Sequence, residues 1–189
     1  ASRVVVVSGV TQTEQSWVSL VRRALRPFES RVQVTYLTQH TVSEILSAVS
    51  SLPKDSIVLY VSMFEDAAGR TTISGDIAAQ LASRSTAPVY SFYERFMGMG
   101  IVGGSLTDFD NNAQRLGKLL ALILAGKNPD EIPVAPPAPT VPTVDWRQLA
   151  RWGFDEAGLP PGAVVLDLGA YLGYFTVLAP WLIPDAERE

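Results

Sequence analysis

Five short apolar runs, each closed by small or polar residues and set apart by amphipathic stretches, limit this chain to a narrow range of folds. They are Arg3 to Gly9, Val32 to Leu37, Ser56 to Ser62, Pro88 to Ser91 and Ile101 to Gly104. The first and third are continuous β-branched and apolar runs, which suit strands buried on both faces, as in a parallel sheet. The segments between them read as helices. Thr11-x-x-Glu14 and Thr41-x-x-Glu44 have the spacing of capping boxes, in which each end's side chain satisfies the other's backbone N–H. Behind the first box, Trp17, Leu20, Val21, Ala24, Leu25 and Phe28 recur at helical spacing; behind the second, Val42, Ile45, Leu46, Val49 and Leu52 share one face. A helix over 74–83 turns Ile77 and Leu81 inward. A long helix over about 111–125 is expected to bury Leu116, Leu119, Leu120, Ile123 and Leu124, with Asp108 or Asp110 as its cap and Gly126 just past its end.

Strands alternating with helices predict an α/β, doubly wound, mostly parallel five-stranded sheet with right-handed crossovers. Ligands in such sheets bind outside the carboxyl ends of the strands. Those ends are Ser8 to Thr11, Ser62 to Phe64, Ser91 to Phe96 and Gly103 to Leu106. The organisation expected is a lobe over 1–126, a Pro-rich connector with a short Trp-containing helix over 127–162, and an apolar segment over 163–189. Asp145 caps the short helix that carries Trp146, Leu149 and Trp152.

Composition excludes several kinds of chemistry. With no cysteine, disulfides, thiolate catalysis and Cys-based metal sites are ruled out, and the single His40 cannot build a multi-histidine centre. Fifteen Lys and Arg against nineteen Asp and Glu give a net charge of −4 with no basic stripe, which argues against a nucleic-acid partner. Neither a Gly-x-Ser-x-Gly elbow nor a Walker-A loop occurs. Glu65-Asp66 and Asp108-x-Asp110 could hold a hard cation, but solvated loop acids and helix caps are the commoner use, and no metal or cofactor is expected. The first residues lack a signal-peptide pattern, and the chain starts almost on its first strand, so it is expected to be cut from something longer.

The apolar tail admits several readings. Val165 to Phe175 looks like the strand and glycine-rich loop that open Rossmann-type methyltransferases, with little chain left to complete such a domain. The 16 uncharged residues from Leu168 to Ile183 fall just short of a membrane span, and Gly169, Gly173 and Pro180 weaken a regular helix there. The segment 164–183 could also pack against its own sheet or a second copy, so a homodimer is a possible assembly.

The aromatic residues carry more information. Phe92, Tyr93 and Phe96 follow the fourth strand and lead into Met97-Gly98-Met99-Gly100; Phe64 follows the third. Aromatic rings and glycines at strand ends can form a pocket wall with close backbone approach.

Several motifs together resemble one group of proteins: Ser62-Met63-Phe64-Glu65-Asp66-Ala67-Ala68-Gly69-Arg70, Pro88-Val89-Tyr90, Gly98-Met99-Gly100-Ile101-Val102-Gly103-Gly104, Asp145-Trp146-Arg147-Gln148-Leu149-x-Arg151-Trp152-Gly153 and Leu159-Pro160-Pro161-Gly162. Over about residues 3–165 the chain resembles the ABC-transporter substrate-binding-like sensor domains of bacterial sensor histidine kinases. The resemblance implies one lobe, the second, of a type I periplasmic-binding architecture. A small molecule would be held between this lobe and a missing first lobe, outside the cytoplasm, with the membrane reached only through the parent protein. Contacts to that molecule are then expected from Thr11, Ser62, Phe64, Tyr93, Phe96 and Gly104. The other readings are an autonomous doubly wound domain in protein–protein signalling and a fragment of a methyltransferase.

Overall fold

The computed structural model describes residues 1–136 and 140–166. The elements are β1 (Arg3–Val7), α1 (Gln12–Leu25), β2 (Gln33–Leu37), α2 (Val42–Val49), β3 (Ser56–Tyr60), α3 (Ser74–Arg84), β4 (Val89–Tyr90), β5 (Gly103–Thr107), α4 (Phe109–Leu124), β6 (Thr140–Asp145), α5 (Trp146–Trp152) and β7 (Val164–Leu166). The strands form one sheet in the order β2-β1-β3-β4-β5-β6-β7. Pairing from β2 through β5 is parallel, β5 with β6 is antiparallel, and β6 with β7 is parallel.

The fold is α/β and mostly parallel, as the alternating pattern requires. Its register follows from the apolar runs. Val4 to Val7 sit between Val34 to Leu37 on one side and Ile57 to Tyr60 on the other, so β1 is an interior strand, next to the edge strand β2, and is buried throughout that stretch. Alternate residues then serve opposite faces. Val5 and Val7 join Val58, Tyr60, Ile45, Leu46, Val49, Ile77 and Leu81 in the main core, under α2 and α3. Val4, Val6 and Val61 pack with Val21 and Leu25 of α1 on the other face. Both expected capping boxes are formed in full, at Thr11 with Glu14 and at Thr41 with Glu44.

The structure departs from the sequence pattern in three places. Among the described residues the sheet has seven strands, the two added ones being β6 and β7. Residues 129–142, with their prolines, read as an extended connector. Yet from Thr140 the chain pairs residue for residue with β5, and Pro142 lies opposite Ser105 and outside the stretch that pairs with β7, where a missing N–H interrupts no ladder to that neighbour. The fifth strand begins at Gly103, two residues later than its apolar run. Ile101 and Val102 are buried in the turn that enters it.

The third departure concerns α4. Its amphipathic face is present, but no residue of the helix is buried, and Leu116, Leu119, Leu120, Ile123 and Leu124 are all exposed. Helical periodicity reports that a face is apolar; it does not say which body covers it.

A small third cluster of Val102, Val144 and Leu149, with Tyr90, Trp152 and Val165 against it, seats α5 on the sheet. Asp145, fully buried, accepts from the Arg147 N–H at 3.0 Å and pairs with its guanidinium at 3.2 Å. Arg151 reaches across to the Ala82 carbonyl of α3. From residue 167 on, the tail, with the readings attached to it, lies outside the described residues.

Candidate functional site

The carboxyl ends of β1, β3, β4 and β5 fall along one edge, because these strands run parallel and adjacent. Five of the six residues expected to contact a ligand follow these ends; Gly104, expected at the end of the fifth strand, is instead the second residue of β5 and shares the edge only by lying beside Ser91, just beyond β4. The six fall in two groups.

Thr11, Ser62 and Phe64 form the first group, and a single buried carboxylate joins them. Glu14, 0% exposed, accepts at Oε1 from the Phe64 N–H (2.8 Å) and the Ser62 hydroxyl (3.3 Å), and at Oε2 from the Thr11 hydroxyl (2.7 Å) and N–H (3.1 Å). Backbone bonds from Gly9 N to Ser62 O and from Val10 N to Glu65 O stitch the same two loops. Gly9 has to be glycine for space: a Cβ there would lie 2.6 Å from both Glu14 Oε1 and the Glu65 carbonyl. Phe64 is thus held at its backbone while its ring is 45% exposed. Ser8, at the end of β1, is buried, and its Oγ has no hydrogen-bond partner among the described residues.

Tyr93, Phe96 and Gly104 form the second group. Phe92, Tyr93 and Phe96 stack in sequence: Phe92 to Tyr93 with ring centroids 4.7 Å apart, Tyr93 edge-on to Phe96 at 5.9 Å, and Phe96 against Tyr60 at 5.2 Å. The stack runs from the core to the surface. Phe96 is 1% exposed and belongs to the core; Tyr93 is half-buried on top of it. Burial pushes the Tyr93 phenol up, so at neutral pH it is a protonated donor. Tyr93 also bridges Thr107, and the Thr107 N–H donates to the Phe92 carbonyl. Gly104 meets the chain itself: a Cβ there would collide with the Ser91 carbonyl.

Trp17 belongs by its spacing to the apolar stripe of α1, yet it is 39% exposed and sits against Phe92 (5.7 Å) and Tyr93 (6.2 Å). Its helical spacing was legible; that the β4 loop rather than the sheet lies beside it was not.

The loop after β3 is fixed by a second buried acid. Asp66 accepts from the N–H groups of Val42, Ala68 and Arg70 and pairs with the Arg70 guanidinium at 2.6 Å. It ties that loop to the head of α2. Arg70 first, and then the three N–H groups, holds the Asp66 carboxyl well below the usual carboxylate range. A carboxyl lowered in the folded state stabilises above its unfolded value, near 3.8, and that contribution fades as pH falls below it. Urea midpoints should therefore hold steady from pH 7 to about 5 and drop below about 4. Asp66→Asn should lower the midpoint at pH 7 and flatten the acid drop. The flattening should be partial, because Glu44, bonded to Thr41, and Asp55, bonded to Ser2, are lowered too. An unchanged acid limb in Asp66→Asn would contradict this assignment.

Among the described residues no group of three or more metal-ligating side chains comes together, and no helix is long and apolar enough to cross a membrane. Glu65 and Asp66 do not converge on a shared ion, since Asp66 is consumed by its own loop. Asp108 caps α4 through the Asn111 N–H, and His40 is a partly buried loop residue.

No family description matches the chain, and no curated protein matches it significantly. Solved structures do. A ligand-free, open substrate-binding protein with adhesive properties from Clostridium difficile superposes with a TM-score of 0.62 at 15% identity, over 88% of this chain and 54% of that one. An ABC domain in complex with L-Trp from Streptococcus pneumoniae gives 0.61 at 14%, over 86% and 55%. A conserved domain protein from Vibrio cholerae gives 0.58 at 15%, over 87% and 54%. The chain spans about half the length of these solved proteins, and its fold is that of a periplasmic-binding-like lobe.

Proposed function

We propose that this chain is one lobe of a non-catalytic small-molecule receptor, and that the ligand seats on the carboxyl edge between the Phe64 loop and the Tyr93 loop. The observation that carries the reading is the edge itself. Exposed or half-exposed aromatic rings at Phe64, Tyr93 and Trp17 stand on backbone that two buried carboxylates, a glycine contact and an aromatic stack hold in place. Rings supply apolar contact area, and the Tyr93 hydroxyl supplies orientation. Thr11 and Ser62 spend their hydroxyls on Glu14 and act by shaping the loops; Phe96 supports Tyr93 from below. The Gly104 backbone completes the floor beside Ser91. The fold shared with substrate-binding proteins, one of them holding L-Trp, supports the same reading.

A single lobe offers half of a cleft. The course of the chain around α4 supports a companion lobe opposite the edge. The chain leaves the sheet after Thr107 and rejoins it at Thr140, directly opposite. The whole excursion therefore starts and ends at the ligand edge. It carries a helix of 16 residues, about 24 Å long, whose apolar face no described residue buries. A body that covers α4 would face the ligand. A ligand touching both lobes would then favour the closed arrangement by its differential affinity for it. As implied by the motif resemblance, we place this two-lobed unit outside the cytoplasm, in a parent sensor protein such as a histidine kinase.

Calorimetry on the two-lobed polypeptide, with L-tryptophan among the first probes, tests the site. Tyr93→Ala should weaken binding about tenfold or more, the usual result of removing a buried aromatic anchor, with circular dichroism unchanged. Full affinity in Tyr93→Ala would remove the Tyr93 loop from the site.

A further inference from the structure

We propose that Glu14 is a positioning residue: its carboxylate is an internal anion that gathers the donors at the head of α1 and thereby sets the Phe64 lip of the site. Four observations point to it. The group is fully buried, and among the described residues no Lys or Arg pairs with it, the ion pairs being those of Asp55, Asp66 and Asp145. Each of its oxygens takes two donors, and those donors come from two loops, Thr11 from one and Ser62 with Phe64 from the other. Thr11 is also the N-cap of α1, so the carboxylate lies at the positive end of the helix dipole. Gly9 leaves the space it fills.

A capping box needs only the exchange between Thr11 and Glu14. The exposed box at Thr41 and Glu44 shows that form, with the carboxylate bonded to Thr41 alone. At Glu14 the second oxygen has been extended to the loop after β3. An unpaired buried charge is costly unless its donors are complete. The two loops are therefore locked to one another as long as the carboxylate is present, and Phe64, the exposed ring, rides on the locked N–H.

The inference rests on the reading that this edge takes the ligand, but its test reads loop positions directly. Glu14→Gln replaces one acceptor oxygen by an NH₂ group that must face existing donors. It should raise amide exchange at Thr11 and Phe64 about tenfold, the equivalent of one hydrogen bond, and leave the amides of β1 and β3 as in wild type. Glu14→Ala removes the carboxylate and leaves room for acetate, which has the same two carbons and two oxygens. Acetate should raise the Tm of Glu14→Ala and restore slow exchange at Phe64, with no such effect on wild type or on Ser74→Ala, which loses different buried bonds, those to the Tyr60 hydroxyl and from the Met63 N–H.

Unchanged Phe64 exchange in Glu14→Gln would overturn the proposal. So would exchange rising uniformly over the sheet, which marks a purely structural role. An acetate response absent from Glu14→Ala, or shared by Ser74→Ala, would overturn it as well. If Glu14→Ala does not fold, the Glu14→Gln exchange pattern decides. Loss of the ligand-binding reading alone would leave the acetate result standing.

Discussion

Gly9→Ala should destabilise the lobe by about 2–3 kcal/mol, near the upper end of what overpacking a buried site costs. The added methyl group has two neighbours to displace, the Glu14 carboxylate and the Glu65 carbonyl, each 2.6 Å away. The first cannot swing aside without abandoning four donors inside the protein. The second is backbone, held by the Val10 N–H at 3.0 Å. Strain at Gly9 therefore passes into both loops at once. Urea unfolding at neutral pH measures the effect. Pairing Gly9→Ala with Glu14→Ala should recover only part of the loss, because the Glu65 contact persists. A Gly9→Ala midpoint equal to wild type would show that the loops are not locked as described.

The second large effect concerns α4, and its direction is opposite to what the sequence pattern suggests. Replacing Leu116, Leu119, Leu120 and Ile123 together by Lys and Glu in alternation would unfold a domain in which these residues were core. Here Leu116 is 57% and Leu120 51% exposed, so the isolated chain should keep its circular dichroism and its Tm. The contrast is Leu81→Ala, at a fully buried position of α3, which should cost about 2–5 kcal/mol. The α4 variant should instead lose association with the companion lobe by about 100-fold, the scale of a cluster of interface anchors. Sedimentation of the mixed lobes reads this directly. If the charged variant unfolds, the α4 face is internal to this lobe. If a second copy covers the face, wild type sediments as a dimer and the variant as a monomer, and the companion-lobe account of α4 is wrong.

Much of the fold was legible in the chain because the relevant forces are local. The β-branched run at Val4 to Val7 can be satisfied only in the middle of a sheet, and the Thr11 and Thr41 boxes mark helix starts to the residue. What could not be read depends on partners distant in sequence. β6 is specified by its antiparallel match to β5 across a Pro-rich stretch, and prolines concealed it. The apolar stripe of α4 is a true periodicity that no described residue buries. At the site, strand-end position brings Thr11, Ser62, Phe64, Tyr93 and Phe96 to one edge, whereas Gly104 reaches it from the start of β5, beside Ser91. Which of them turn outward was decided by packing. Phe96 goes inward because Tyr60, at the end of β3, offers a ring at 5.2 Å. The hydroxyls of Thr11 and Ser62 are taken by Glu14, whose capping role was visible at Thr11 but whose reach to Phe64, fifty residues away, was not.

The central claim is that a small molecule sits on the carboxyl edge of this sheet. Amide exchange of the two-lobed polypeptide, measured with and without a bound small molecule, tests it most directly. The account expects protection in four segments, 9–11, 62–65, 91–96 and 103–107, and none at Ser2, Asp55 or Ser56 on the opposite edge. Protection confined to that amino-terminal edge, or to α5 and β7, would contradict it.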